Sequence, residues 1–367
     1  MEQGYVRLDA KMLLTERAGE RLRKLGRRSG VPAKLDPTQQ LKHTDITGVD
    51  TGAEIVPLRP NRVGETVGRC MLTRLIGVGG GGAVYEALHV GMGISVAVKM
   101  LAEKGVRAEV RQALRDEARL LAQLNHPNIV RIYDFSNEGP EPYIVMELVA
   151  GSSLADLIAQ SGDINPGRAA GLLVQAVRGL EAAADMGVVH RDVKPANLLV
   201  TKRGQVKLAD LGLAWFRNQT TGSTGGLEFG GTVAYMAPER FGDSAIPDIR
   251  ADLYSLGVTL YEALTGRLPY EGGTPFELMV QHAEDPIPDP RTINPLIPAE
   301  LVQIYARLMA KRPAGRYASY GELLEHFEHF FRTLPGQEEI AAWNPFLTAK
   351  TYASNSAATS WPASTRA

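Results

Sequence analysis

The run His190-Arg191-Asp192-Val193-Lys194-Pro195-Ala196-Asn197 places a carboxylate, an ammonium and a carboxamide within one short stretch. A carboxylate there can orient a hydroxyl and accept its proton, and the amide oxygen of Asn197 is a ligand for a hard cation such as Mg²⁺. Asp210, in Asp210-Leu211-Gly212, offers oxygens of the same kind. A second constellation lies far upstream, in Ile76-Gly77-Val78-Gly79-Gly80-Gly81-Gly82-Ala83-Val84. Its glycines let backbone N–H groups approach phosphate oxygens with no Cβ in the way, and Val84 would give a base an apolar ceiling. By itself this spacing also fits a flexible hairpin turn, or the loop that opens a dinucleotide-binding helix. The latter requires a helix after the glycines, and here a strand pattern follows. Lys99, in Val96-Ala97-Val98-Lys99, can span two phosphates of a nucleotide if a carboxylate fixes its ammonium. Glu117 is the candidate, with Asp116 and Glu109 as competitors and a solvated helix face as the plain alternative.

Such groups act together only if rigid elements bring them to one place. From about Cys70 the chain runs in short β-like segments bounded by glycine, over 71–76, 83–88 and 94–101, which predict a small antiparallel sheet. Val110, Leu114, Leu120, Leu121 and Leu124 recur at helical spacing and predict a helix over 108–124, closed by Pro127. Residues 129–135 and 143–148 read as two further strands. Beyond Gly151 nearly all periodicity is helical, notably over 169–184 and 252–265. The chain thus divides into a β-rich part carrying Lys99 and an α-rich part carrying Asp192, Asn197 and Asp210.

The complete H-R-D-x-K-x-x-N run resembles the catalytic loop of the eukaryotic-type protein kinase family. Asn125-His126-Pro127-Asn128-Ile129-Val130 and Pro142-Tyr143-Ile144-Val145-Met146-Glu147 look most like its bacterial Ser/Thr members. The resemblance extends from about residue 69 to about 333. It implies an α+β, bilobal fold, with a small β-rich N-lobe and helix αC over about 69–148 and a larger helical C-lobe over about 149–333. It further implies transfer of the γ-phosphoryl of Mg·ATP, with Mn²⁺ a possible replacement, to Ser or Thr hydroxyls of proteins. In that scheme Asp192 is the catalytic base, Lys194 adds charge beside the phosphoryl group, Lys99 and Glu117 form the phosphate clamp, and Asn197 and Asp210 hold the metal. Residues 76–84 cover the nucleotide, Met146 is the gatekeeper, the backbone of Glu147 and Val149 binds adenine, and Ala97 and Leu199 sandwich the ring. Gly231-Thr232-Val233-Ala234-Tyr235-Met236 resembles a substrate-docking strip, with Thr232 bonded to Asp192 and Lys194.

Three structural expectations come with the family. Glu239, in Ala237-Pro238-Glu239, pairs with Arg316; Asp252 supports the catalytic-loop backbone; and Leu211 stands where the family has phenylalanine, still filling the apolar gap beneath αC. Arg191 can pair with a phosphate, which predicts autophosphorylation at one or more of Thr220, Thr221, Ser223 and Thr224, with two copies pairing to do it in trans. The rival reading is a pseudokinase, a nucleotide-binding scaffold that transfers nothing. It is disfavoured because Lys99, Asp192 and Asp210 are all present.

Composition narrows the rest. Forty basic residues against forty-one acidic ones give a formal charge of -1, which does not suggest a nucleic-acid binder. Cys70 is the only cysteine, so it is read as core filling in a reducing compartment, and a cytoplasmic location is expected. No apolar block resembling a signal peptide or a membrane span is visible. Residues 1–68 read as a mobile extension with basic clusters and prolines, a solvated tether. Leu8, Met12, Leu22 and Leu25 could line one side of a short basic helix that touches a partner or a membrane surface. Residues 334–367, rich in Ala, Ser and Thr toward their end, are expected to be disordered. His326 and His329 read as ordinary helix-surface residues.

Overall fold

The computed structural model describes residues 62–79, 82–101, 118–136, 141–211, 232–241 and 248–334. Its first layer is a six-stranded antiparallel sheet in the order β1-β2-β3-β4-β6-β5. The strands are β1 (Thr66–Val67), β2 (Cys70–Gly79), β3 (Gly82–His89), β4 (Ile94–Met100), β5 (Ile132–Ser136) and β6 (Tyr143–Glu147). Their alternation separates two faces. Cys70, Leu72, Tyr85, Val96, Val98 and Met100 pack into one apolar cluster. The register then puts Val84 opposite Lys99, and Ala97 opposite Met146, on the other face.

The sheet begins slightly ahead of residue 69, since β1 pairs with β2 through Thr66 with Met71 and Val67 with Cys70. The segment 129–135 is only partly a strand. Ile129 instead bridges Leu208 in parallel, and Val130 N donates to Leu208 O at 2.9 Å, so this apolar run ties the sheet layer to the second half of the chain. Helix α1 is described over 118–123.

The second half is helical: α2 (Leu154–Ser161), α3 (Pro166–Ala184), α4 (Ile249–Thr265), α5 (Pro275–Glu284), α6 (Ala299–Leu308) and α7 (Tyr320–Thr333). Helix α4 is apolar nearly all round, as a central helix must be, and almost every residue from Ala251 to Thr265 is buried. Asp248 caps its first turn by accepting from Arg250 N, and Gly266, at φ 71, ends it. At Gly257 a Cβ would meet Leu308 Cβ at 2.9 Å, so glycine is what lets α4 and α6 approach.

Between the two layers sits a three-stranded sheet, β7 (Gly151–Ser153), β8 (Leu198–Thr201) and β9 (Val206–Leu208), in the order β7-β8-β9. It interrupts the helical reading of everything beyond Gly151. Its strands are too short to show a period. A hairpin signal was nonetheless present, in two apolar runs flanking a turn at Gly204, whose φ is 78.

Candidate active site

Asp192 follows α3 on a loop whose backbone is gripped from below. The Asp252 carboxylate, on the first turn of α4, accepts His190 N and Arg191 N, each at 2.8 Å, and Tyr320 Oη at 3.4 Å. Burial pushes that carboxyl up, while the His190 ring and the two backbone N–H groups act to lower it. Arg191 adopts φ 68 and Asp210 φ 59, the only positive values at non-glycine residues among those described. Backbone strain is thus concentrated at the two carboxylate-bearing segments, where the surroundings must over-determine it.

The side chains above this support form one network. Lys194 Nζ reaches both oxygens of Asp192, at 2.8 and 3.1 Å. Asn197 Nδ2 donates to Asp192 O at 2.7 Å and to its carboxylate at 3.2 Å, so Asn197 Oδ1 is the oxygen a hard cation would use. His190, fully buried, was read from sequence only as part of the motif. Its Nδ1 accepts Asp192 N at 3.3 Å, so Nε2 carries the proton and donates to Ala209 O at 3.1 Å, linking the loop to the residue before Asp210.

Lys99 brings the sheet layer to this network. Its ammonium, almost fully buried, lies 2.7 Å from Asp210 Oδ2. Burial works against ionising Asp210, but the Lys99 ammonium more than compensates and holds its carboxyl below the usual range, with His190 and Lys194 adding to the effect. The β9 ladder places Asp210: Leu208 N donates to Asn128 O at 2.8 Å and Ala209 N to Asn197 O at 2.9 Å. Lys99, Asp192, Lys194, Asn197 and Asp210 therefore converge. Glu117, the expected carboxylate partner of Lys99, lies outside the described residues, as do Gly80, Gly81, Thr220, Thr221, Ser223 and Thr224.

The glycines divide into two kinds. Gly82, at φ 125, could not carry a Cβ, which would sit 1.8 Å from Met100 O. Gly77 and Gly79 face open space, where an added Cβ meets nothing within 4 Å. That is the arrangement expected of a lid that leaves room for phosphate oxygens. Ile76 and Val78 are exposed, while the Ala83 side chain belongs to the buried cluster on the other face of the sheet.

Ala97 is buried, Met146 and Leu199 are half-buried, and Val149 follows the end of β6. Glu147 also carries a contact the sequence did not reveal: Lys207 Nζ on β9 binds its carboxylate at 2.9 Å, tying the end of β6 to the small sheet. Leu211 is buried beside Asp210, lining a cavity of about 20 Å³ with Leu121, Leu124, Ile129 and Met146.

The expected pair of Glu239 with Arg316 is in place, whereas the Thr232 side chain lies outside what the structure describes. Arg316 Nη1 and Nη2 bind the two Glu239 oxygens at 2.6 and 2.8 Å, and its other donors go to the carbonyls of Ala310, Arg250 and Lys311. Cys70 is buried in the sheet cluster. His326 packs edge-on against Tyr317 at 5.1 Å and bonds Glu322 O. Among the described residues no helix is long and apolar enough to cross a membrane.

Comparison with known proteins points the same way. Residues 71–328 match the family model described as the protein kinase domain. The serine/threonine-protein kinase PknH of Mycobacterium bovis is 36% identical over 305 residues, covering 78% of this chain and 51% of that protein. PknH of Mycobacterium tuberculosis (strain CDC 1551 / Oshkosh) is 39% identical over 264 residues, covering 72% and 42%. PknA of Mycobacterium tuberculosis (strain H37Rv) is 39% identical over 268 residues, covering 71% and 61%. The chain therefore spans about half the length of the PknH relatives it matches.

Proposed function

The chain belongs to the protein kinase family, and from that premise we propose that it transfers the γ-phosphoryl of Mg·ATP to serine and threonine hydroxyls of proteins. The observation that carries this reading is the meeting of Lys99 with Asp210 at 2.7 Å, next to the loop in which Lys194 and Asn197 both hold Asp192.

In this mechanism the substrate hydroxyl oxygen attacks the γ-phosphorus while Asp192 takes its proton. The bond from that phosphorus to the bridging oxygen breaks, and ADP leaves. Lys99 steadies the α- and β-phosphates and Lys194 offsets charge on the moving group. Gly77 and Gly79 leave the space above the phosphates open. Asp210 and Asn197 supply the hard oxygen donors suited to Mg²⁺, which when bound neutralises phosphate charge. Adenine lies between Ala97 and Leu199, against the backbone of Glu147 and Val149. The contribution of the protein is position and charge.

Control by phosphorylation fits the same site. The Nε of Arg191 is buried with no hydrogen-bond partner among the described residues, so this guanidinium has a donor to offer a phosphate on Thr220, Thr221, Ser223 or Thr224. Incubation with radiolabelled ATP and Mg²⁺, followed by phosphoamino-acid analysis, tests the reading. Label on serine and threonine of an added basic protein supports it. Absence of protein-bound label, or label confined to tyrosine, refutes it.

A further inference from the structure

Arg240 lies in the single 3₁₀ turn Pro238–Phe241, directly after Glu239. Its Nη1 donates to the backbone carbonyl of Arg191. That carbonyl belongs to the peptide unit joining Arg191 to Asp192, so the guanidinium holds the backbone at the base's own attachment point. From the other side, Asp252 takes the N–H groups of His190 and Arg191. The residue caught between them, Arg191, is the one at φ 68, a conformation that persists only when its surroundings impose it. Two N–H groups and one carbonyl of the strained segment are thus held by two oppositely charged side chains.

The charge environment of Arg240 agrees with such a role. Burial acts to strip the proton from its guanidinium, the carboxylates of Asp252, Asp192 and Glu239 oppose this, and Arg191 adds to the lowering. A guanidinium does not give up its proton in a protein, so this buried cation stays charged, and the nearby carboxylates offset part of the cost of burying it.

We propose that Arg240 is a positioning residue for phosphoryl transfer: by binding the Arg191 carbonyl it fixes the Arg191–Asp192 peptide, aims the Asp192 carboxylate, and joins the turn Pro238–Phe241 to the catalytic loop. This inference rests on the reading of Asp192 as the base.

The test compares Arg240→Met, Arg240→Lys and Asp192→Asn in steady-state transfer from Mg·ATP to myelin basic protein, with thermal melting of each. Arg240→Met is expected to lower kcat about ten- to a hundredfold, the scale of a misplacement near 1 Å, with KM for ATP within about threefold of wild type. Arg240→Lys, which can still donate one charged hydrogen bond to the carbonyl, should recover at least about half of that loss on a logarithmic scale. If Arg240→Met does not fold, Arg240→Gln takes its place in the same comparison. The proposal is overturned by a truncated variant whose kcat stays within about twofold of wild type, by a loss in which KM for ATP rises as much as kcat falls, or by a lysine variant as impaired as the methionine one. Full activity in Asp192→Asn would instead remove the base assignment itself. An inactive Asp192→Asn beside a normal Arg240→Met would remove only the role given to Arg240.

Discussion

Replacing Asp252 by asparagine should unfasten the catalytic loop while leaving the nucleotide lid intact. The carboxylate accepts two backbone N–H groups at 2.8 Å from inside the core. Asparagine can keep one of these bonds through its oxygen, but its NH₂ then faces the second N–H. The loss is one hydrogen bond to a charged acceptor plus a buried donor without a partner, together about 2–4 kcal/mol. The region between Arg62 and Leu334 spans roughly 270 residues. At about 2.1 cal/mol/K per residue its unfolding entropy is about 0.57 kcal/mol/K, so the melting temperature should fall by about 4–7 °C. In transfer assays kcat should drop about ten- to a hundredfold, because Arg191 at φ 68 relaxes and Asp192 loses its aim. KM for ATP should stay within about threefold, since Lys99 and the β2–β3 glycines are anchored in the sheet. The assays are calorimetry and steady-state kinetics on the same preparations. A melting shift under about 2 °C together with a kcat within about twofold of wild type would refute the argument.

Other perturbations separate the parts of the account. Arg316→Met or Glu239→Leu alone should each cost about 3–5 kcal/mol by leaving a buried charge unpaired, and the two together should cost less than the sum; a double-mutant cycle that is additive contradicts this. Gly82→Ala should destabilise the N-terminal sheet through its contact with Met100 O, whereas Gly79→Ala should melt like wild type and change only ATP binding, as melting curves and titrations will show. His282 is buried, and burial together with Lys311 lowers its imidazole to about 4. Below its ordinary value of 6.5 the unfolded chain binds the proton first, so stability should fall as pH drops from about 6.5 to 4, by up to about 3 kcal/mol. Urea midpoints at pH 7 and 4.5 should therefore separate more for wild type than for His282→Gln.

Much of the site was legible because its chemistry is local in sequence. Asp192, Lys194 and Asn197 share one loop, so the groups could be read together and the resemblance of their run to a kinase catalytic loop supplied their roles, and the β-like run over 94–101 became β4. Long apolar helices such as α4 were equally plain. Partners separated by many residues were not, except where a family motif named them, as for Glu239 with Arg316. Nothing in the sequence ties Lys207 to Glu147, Arg240 to the Arg191 carbonyl, or Tyr320 to Asp252, because each contact is made only after the chain has folded. The small β7-β8-β9 sheet was missed because strands of three or four residues carry no period, and Ile129 and Val130, at the start of the segment 129–135 read as strand, instead pair with Leu208 of β9.

The most direct measurement separates binding from transfer in Asp192→Asn. If Lys99, Asn197 and Asp210 surround one nucleotide and Asp192 only receives the proton, this variant should bind Mg·ATP within about threefold of wild type by calorimetric titration and lose at least about a hundredfold in labelled-phosphate transfer. Lys99→Met should lose transfer as well. Wild-type transfer by both variants would contradict the assignment of this site as the catalytic centre.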